Sequence, residues 1–441
     1  MLNSYYEKVR ILINQKSFFF FQIGVFLILS APIIGAFFLL ISLLGTHFEK
    51  GNNLLKNRWI WPFLLSGLLA ILSSINLTIR DLHIDGWNSS LSWLGLGNWI
   101  PFFYFIWRAQ IFMQTKKMRE KIANMFLAGT VPLIFSSFGQ LWFGWHGPLI
   151  FLNGLIIWFQ RSINFESGQG ITAMFNNQNY AACWLVIIWP FCINKFLYLK
   201  GLSFKRLIYF FYSILLITCI YLTKSRGGLL GTITSTLFNV NKYFLVLLLV
   251  VATSYAVATL SFVPRNIQSI FRKVFSEKLL EAFEFSKHIN LLNDPRIFIY
   301  INAIPIIMER PFLGWGASTF PIIFNTRYPD FPIEPLHPHN LIFEMANSYG
   351  LIFALIISIT IFLILIKSFR IIFIKKEIKY NLKDVQLNNF DRAWWSSFFG
   401  LFMTQMFDVQ YFDFRISISF WILLTGLICI VNKEKSKSLS C

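Results

Sequence analysis

Apolar residues dominate this chain in blocks rather than in alternation. Runs of about 18 or more apolar residues recur along it, and stretches such as Tyr243 to Val263 show none of the period-2 alternation of a porin strand. The pattern predicts an all-α polytopic membrane protein, with spans near 59–79, 95–113, 122–141, 179–198, 205–223, 227–240, 243–262, 340–366, 391–409 and 414–431. A further stretch, 17–46, is broken by Pro32 and Gly35. Between residues 263 and 338 the pattern changes. Ile267, Phe271, Phe275, Leu279 and Phe283 fall four apart with Arg272, Lys273, Lys278 and Lys287 interleaved, which predicts an amphipathic helix on the membrane surface. Asp294-Pro295-Arg296 then opens a second helix, with Asp294 as cap and proline in the first turn, and it ends near Glu309-Arg310-Pro311.

Composition sharpens this picture. Of 441 residues 56% are hydrophobic and 13% charged. Soluble domains carry about 25% charged residues, so a water-soluble enzyme is excluded. The net charge of +19 is distributed unevenly. Segments 1–16, 47–58, 114–121, 195–206, Lys242, 367–388 and 432–441 hold 24 Lys/Arg against 6 Asp/Glu, a net of +18. The alternate segments, 80–94, 142–178, 224–226 and 263–338, hold 12 Lys/Arg and 10 Asp/Glu. By the positive-inside rule the first group is cytoplasmic, together with both termini. The charge is therefore an orientation signal, and no nucleic acid is implied. For both 1–16 and 47–58 to lie inside, 17–46 must cross twice as a hairpin turning near Pro32, giving about 12 spans; the rival is one long tilted span with the N-terminus outside. The expected organisation is an N-terminal bundle over 1–262 with about 9 spans, a periplasmic loop over 263–338, and a C-terminal bundle of 3 spans over 339–441. Lys8, Arg10 and Lys16 without a small-residue cleavage site argue against a removable signal peptide. Four of the five cysteines fall inside predicted spans and the fifth is Cys441, so neither a disulfide framework nor a Cys-x-x-Cys metal site is read.

Under this topology five polar clusters meet at the outer ends of spans: Thr223 to Gly228, Asp294 to Arg296, His337-Pro338-His339-Asn340, Asn176 to Asn179, and Asp408. Each has an ordinary explanation alone. Arg226 beside glycines can be a tight turn with a snorkelling cation, Arg296 can close its helix start against Asp294, and Asn179 can cap a helix. Asp408 can pair with Arg415 or another interfacial group. Two histidines spaced His-x-His hint at a metal, but catalytic zinc takes three protein ligands and no third histidine, Cys pair or HExxH stands nearby. Taken together, two arginines and a histidine on one face suit a phosphorylated lipid substrate. Guanidinium forks match phosphate oxygens and can stabilise a diphosphate leaving group, while a histidine takes the proton of an attacking sugar hydroxyl. The Asp-x-Asp pair that holds a divalent metal in many nucleotide-sugar transferases is absent, so no metal and no cofactor are expected.

The stretches Leu222 to Gly228, Pro295-Arg296 with Tyr300, Glu309 to Gly316, and His337 to Asn340 followed by Glu344 and Gly350 are similar to those of the O-antigen ligase and polymerase superfamily. The ordered set covers residues 223 to 350. The resemblance implies a 12-helix, GT-C-like glycosyltransferase of the bacterial inner membrane, with a long helical periplasmic loop over the site. It implies a glycan on undecaprenyl diphosphate as donor, lipid A-core or another glycan as acceptor, and inverting, metal-independent transfer. The family's diphosphate-facing arginines fall on Arg226 and Arg296, and its catalytic histidine on His339; Asn179, Asn340, Asp408 and His337 are candidates for substrate binding. Asn176 to Asn179, Ser225 to Gly231, the Arg310-Pro311 turn and Met406-Phe407-Asp408 also resemble a cyanobacterial branch labelled as bicarbonate transporters, the alternative function. That branch lacks the His-Asn pair kept here at His339-Asn340, which favours glycosyl transfer.

Overall fold

The computed structural model describes residues 16–46, 57–80, 86–164, 169–199, 201, 203–239, 250, 253–254, 257–258, 263–273, 295–375 and 385–438. Two short apolar helices open it, α1 (Lys16–Leu27) and α2 (Pro32–Gly45). Then follow α3 (Trp61–Ile79), α4 (Ser90–Gly95), α5 (Ile100–Ala109) and α6 (Lys116–Phe143). A small antiparallel pair, β1 (Leu149–Phe151) and β2 (Ile156–Trp158), separates α6 from α7 (Gln178–Tyr198). Next come α8 (Phe204–Leu222), α9 (Arg226–Asn239), α10 (Arg265–Arg272), α11 (Pro295–Glu309) and α12 (Phe320–Arg327). The chain closes with α13 (Leu341–Tyr349), α14 (Leu351–Phe369), α15 (Val385–Thr404) and α16 (Phe414–Ser438).

The expectation of about 12 spans is corrected. Among the described residues six helices are long and apolar enough to cross a membrane: Trp61–Ile79, Lys116–Phe143, Gln178–Tyr198, Phe204–Leu222, Leu351–Ile374 and Phe414–Lys433. The surplus in the sequence count has specific causes. The 17–46 stretch does fold back on itself, with Gly24 against Leu39 and Gly35 against Ile28, but its arms have 12 and 14 residues. At 1.5 Å per residue these are about 18 and 21 Å long, short of a ~30 Å hydrocarbon core. The 95–113 run begins where α4 ends and is cut into a 3-10 turn at Leu96–Asn98, the ten-residue α5 and another 3-10 turn. Helix α9 has 14 residues. Gly350, at φ +92°, divides 340–366 into α13 and α14. Helix α15 covers 391–409 only as far as Thr404 and carries Asp391 and Arg392 in its interior. The 243–262 run lies largely outside the described residues, as do Asp294 and the amphipathic positions Phe275, Leu279 and Phe283; α10 is the part of that pattern described.

Burial orders the helices. The apolar windows of α7 and α16 are 78% and 94% buried, whereas that of α8 is 22% buried and faces outward. Small residues bring α9 against α7 and α15: a Cβ on Gly228 would strike Ala182, and one on Gly231 would meet Thr404 and the Gly400 carbonyl. Close approach through small residues is how membrane helices gain dispersion contact where no hydrophobic drive separates helix from lipid. On the other side Trp99 stacks on Tyr411 at 4.6 Å, Trp421 Nε1 donates to the Tyr411 hydroxyl at 2.9 Å, and the Tyr411 hydroxyl donates to the Asn98 carbonyl. This aromatic knot anchors the loop between α15 and α16.

Candidate active site

Three helix starts and one interhelical loop meet at one end of the bundle. Asn177 caps α7 by accepting the Asn179 N–H, which sets Asn179 in the first turn. Ser225 accepts the Gly228 N–H through Oγ and so caps α9, whose first residue is Arg226. Asn340 caps α13 through Oδ1, which accepts the N–H groups of Ile342 and Phe343. Each cap meets the helix's need for partners to its first N–H groups. The loop 405–413 is held by the Tyr411 N–H to Gln405 Oε1 bond and by the Leu341 N–H to Gln405 carbonyl bond.

Asp408 sits in that loop, 4% exposed, and is the hub. Its Oδ1 accepts from His339 Nδ1 at 3.0 Å and from its neighbour's Val409 N–H at 3.0 Å, with His337 Nε2 at 3.4 Å. Its Oδ2 accepts from Asn179 Nδ2 at 2.9 Å and from Gln410 Nε2 at 3.4 Å. Asn179 Oδ1 in turn accepts the Ser225 hydroxyl at 2.7 Å, linking Asp408 to the start of α9. Burial favours the neutral acid, but the His339 hydrogen bond, helped by the nearby Arg296 guanidinium, outweighs it and holds Asp408 below the ordinary carboxylate range.

The two histidines are held differently. His337 Nδ1 accepts the His339 backbone N–H at 3.2 Å, so its proton lies on Nε2, toward Asp408. Burial first, then the neighbouring His339 and Arg296, push its pKa down to about 4 against the pull of Asp408. His337 is therefore a neutral hydrogen-bonding strut. His339 donates Nδ1–H to a carboxylate and keeps the Nε2 lone pair as its basic end. Its backbone is left-handed, φ +50°, as is that of Lys224 at +53°. Such a conformation is uncommon for a side-chain-bearing residue, and it concentrates at sites where surrounding contacts over-determine it. Here those contacts are the bond to His337 and the Tyr300 hydroxyl, which donates to the His339 carbonyl at 3.0 Å.

Of the residues singled out in the sequence, the structure brings His337, His339, Asn179 and Asp408 into one hydrogen-bonded group. Arg296, half-buried, is within electrostatic reach of Asp408 and His337. Arg226 lies exposed one residue beyond Ser225, at the edge of the same network. Asn340 has both side-chain atoms in internal bonds, Oδ1 in its cap and Nδ2 on the Met406 carbonyl at 3.1 Å, so it fixes the backbone beside His339. The Asp408–Arg415 pairing is not seen; Arg415 is held by Asp413, Nη2 to Oδ2 at 2.6 Å. Tyr300, quoted with Pro295-Arg296 in the family-like stretch, was given no role from the sequence. Its signal was present: it stands four residues after Arg296, on the same face of α11.

The sequence offered His-x-His without a third ligand, and folding supplies one. Donor atoms of His337, His339 and Asp408 all lie within 4.8 Å of one another, a nitrogen-nitrogen-oxygen set that suits a zinc-like ion. The same atoms also satisfy each other. The arrangement can hold a cation or, without one, work as a carboxylate–imidazole relay.

No curated protein matches the chain. Residues 211–358, which hold Arg226, Arg296, His337 and His339 but neither Asn179 nor Asp408, match the family model described as O-Antigen ligase; with the spans described above, that match supports an O-antigen ligase/polymerase-type membrane enzyme.

Proposed function

We propose that this protein is an inverting, metal-independent glycosyltransferase of a bacterial inner membrane. It moves a glycan from undecaprenyl diphosphate to an acceptor hydroxyl at the periplasmic face, both termini being cytoplasmic. The observation that carries the reading is the His339–Asp408 pair. Asp408 holds the imidazole by Nδ1 and leaves Nε2 to take the proton of the acceptor hydroxyl. As that oxygen attacks the anomeric carbon, the bond to the diphosphate breaks, and Arg226 and Arg296 receive the negative charge that develops on the leaving group. Fixed guanidinium groups suit that task because they stay charged and present paired donors to phosphate oxygens. Asp408 stabilises the imidazolium that forms, while Asn179 and His337 keep the carboxylate in register. The acceptor is lipid A-core for a ligase or a growing glycan for a polymerase.

A bicarbonate carrier of the cyanobacterial kind calls for ionisable groups near the middle of spans. The cluster of His337, His339 and Asp408 instead lies in the connections before α13 and α16. The deciding experiment compares surface polysaccharide from a deletion strain with strains carrying wild type or His339→Ala. Loss of polymer from lipid A-core with lipid-linked polymer accumulating identifies a ligase. Single repeat units in place of polymer identify a polymerase. An unchanged glycan profile overturns the proposal.

A further inference from the structure

A second polar site lies at the far end of α11. Arg296 opens this helix beside the catalytic cluster, and Arg310 follows its last residue. Fourteen positions along the chain, nearly all helical, separate them by roughly 20 Å. There Arg310 and Arg80, the residue capping the C-terminal end of α3, line a cavity of about 330 Å³ together with Asn76 and the Pro311–Gly314 turn.

The cavity is built rather than incidental. Trp315 carries the Arg310 guanidinium over its ring at 4.3 Å and is itself fixed by its indole N–H to the Ile306 carbonyl. The floor turn is tied to α3 by the Ser73 hydroxyl on the Leu313 carbonyl. Gly314, at φ +69°, lies so close to the backbone of Asn347 and Ser348 that no Cβ fits. The carboxylate on the rim, Glu309, is already held on both oxygens by Arg327, at 2.5 and 2.6 Å. Two arginines thus line one space, near enough that burial together with the Arg80 charge lowers the Arg310 pKa. Like charges converge in this way at a cost that a bound anion reverses.

What approaches this cavity is set by α3. The helix is a membrane span, and its exposed residues Leu68, Leu72, Ile75 and Ile79 form one stripe at i, i+4, i+7 and i+11 leading up to Arg80. Phe312, 69% exposed, flanks the same opening. An apolar track that ends at a dicationic cavity at the membrane boundary matches an amphiphile with a phosphate head. We propose that Arg80 and Arg310 form a binding site for the phosphate of an anionic membrane lipid, separate from the diphosphate site at Arg226 and Arg296. This inference stands independently of the transferase reading.

The test uses the full chain purified in detergent and native mass spectrometry with phosphatidylglycerol, phosphatidylcholine as the zwitterionic comparison, and inorganic phosphate as competitor. Wild type is expected to retain phosphatidylglycerol in preference to phosphatidylcholine. The Arg80→Gln/Arg310→Gln variant should lose about tenfold in phosphatidylglycerol affinity, the scale expected for losing charge-assisted bonds to phosphate. Arg226→Gln/Arg296→Gln should bind as wild type. Displacement by millimolar inorganic phosphate would assign recognition to the phosphate alone; resistance to it, with the same arginine dependence, would assign a share to the acyl chains on α3. Arg80 is exposed, so Arg80→Gln alone carries the test should the double variant misfold, with a several-fold loss expected. Equal retention by wild type and these variants, or a loss confined to Arg226→Gln/Arg296→Gln, overturns the proposal.

Discussion

His339 Nδ1 and Asp408 Oδ1 lie 3.0 Å apart although 69 positions separate them in the chain. The bond fixes which ring nitrogen carries the proton and places the charge that an imidazolium would need beside it. Replacing His339 by alanine is expected to lower transfer by about 10²–10⁴-fold, the usual range for losing a general base. Asp408→Asn keeps the size but offers an amide that favours the other tautomer, so transfer should fall by roughly 10²-fold or more. Steady-state transfer from a lipid-linked glycan by purified protein checks both. Full activity of Asp408→Asn would remove the relay from the mechanism.

His337 acts on His339 through the backbone. Its Nδ1 accepts the N–H two residues on, the same closure that an asparagine makes in an Asx-turn. His337→Asn should therefore retain most activity, whereas His337→Leu, which cannot accept, should lose about tenfold in kcat with KM for donor little changed. Equal loss in both variants would point to a direct role of the ring.

The state of His337 also gives a pH dependence with a defined sign. The folded protein holds its pKa down at about 4, while the unfolded chain takes up a proton near 6.5. Below pH 6.5 the unfolded state binds the extra proton, so stability falls as pH is lowered and the effect is complete once pH passes the folded value. The span corresponds to about 3 kcal/mol as an upper figure. Thermal unfolding in detergent should show wild type losing more stability than His337→Asn between pH 6.5 and 4. A parallel pair of curves would contradict this. The depressed carboxyl of Asp408 works in the same direction, but only at lower pH, below the ordinary carboxylate value.

Arg226 and Arg296 are proposed to act on the departing diphosphate, so their loss should appear in kcat more than in KM. Each alanine variant is expected to cost on the order of 10²–10³-fold. Lysine should recover only part, since it lacks the planar fork. Variants that weaken donor binding alone, with kcat intact, would place these residues in substrate capture instead.

The cluster of His337, His339 and Asp408 makes the metal question measurable. Under the relay reading, exhaustive chelation should leave transfer unchanged, and added zinc should inhibit by occupying His339. Loss of activity on chelation with recovery on zinc would turn the same three residues into a metal centre and overturn metal-independent transfer.

The sequence alone determined the solvent. Low charge and long apolar runs leave no other way to satisfy the backbone than helices in lipid, and six of the predicted spans stand among the described residues, one of them shortened by Gly350. It also placed Asn179, Arg226, Arg296, His337 and His339 at helix starts or in connections, because caps, glycines and prolines mark those positions locally. It overcounted spans because a hydropathy run carries no signal for where the helix breaks. Gly350 stands at φ +92° with the backbone of Phe312 and Leu313 so close that no Cβ fits, and the turn before α5 is packed through the Trp99–Tyr411 contact. Only the tertiary structure decided that Asp408 is the partner of His339 and not of Arg415, and that Arg80 meets Arg310. These are pairings between segments 69 to 230 positions apart, and they depend on how helices pack, which the local pattern of any one segment does not encode.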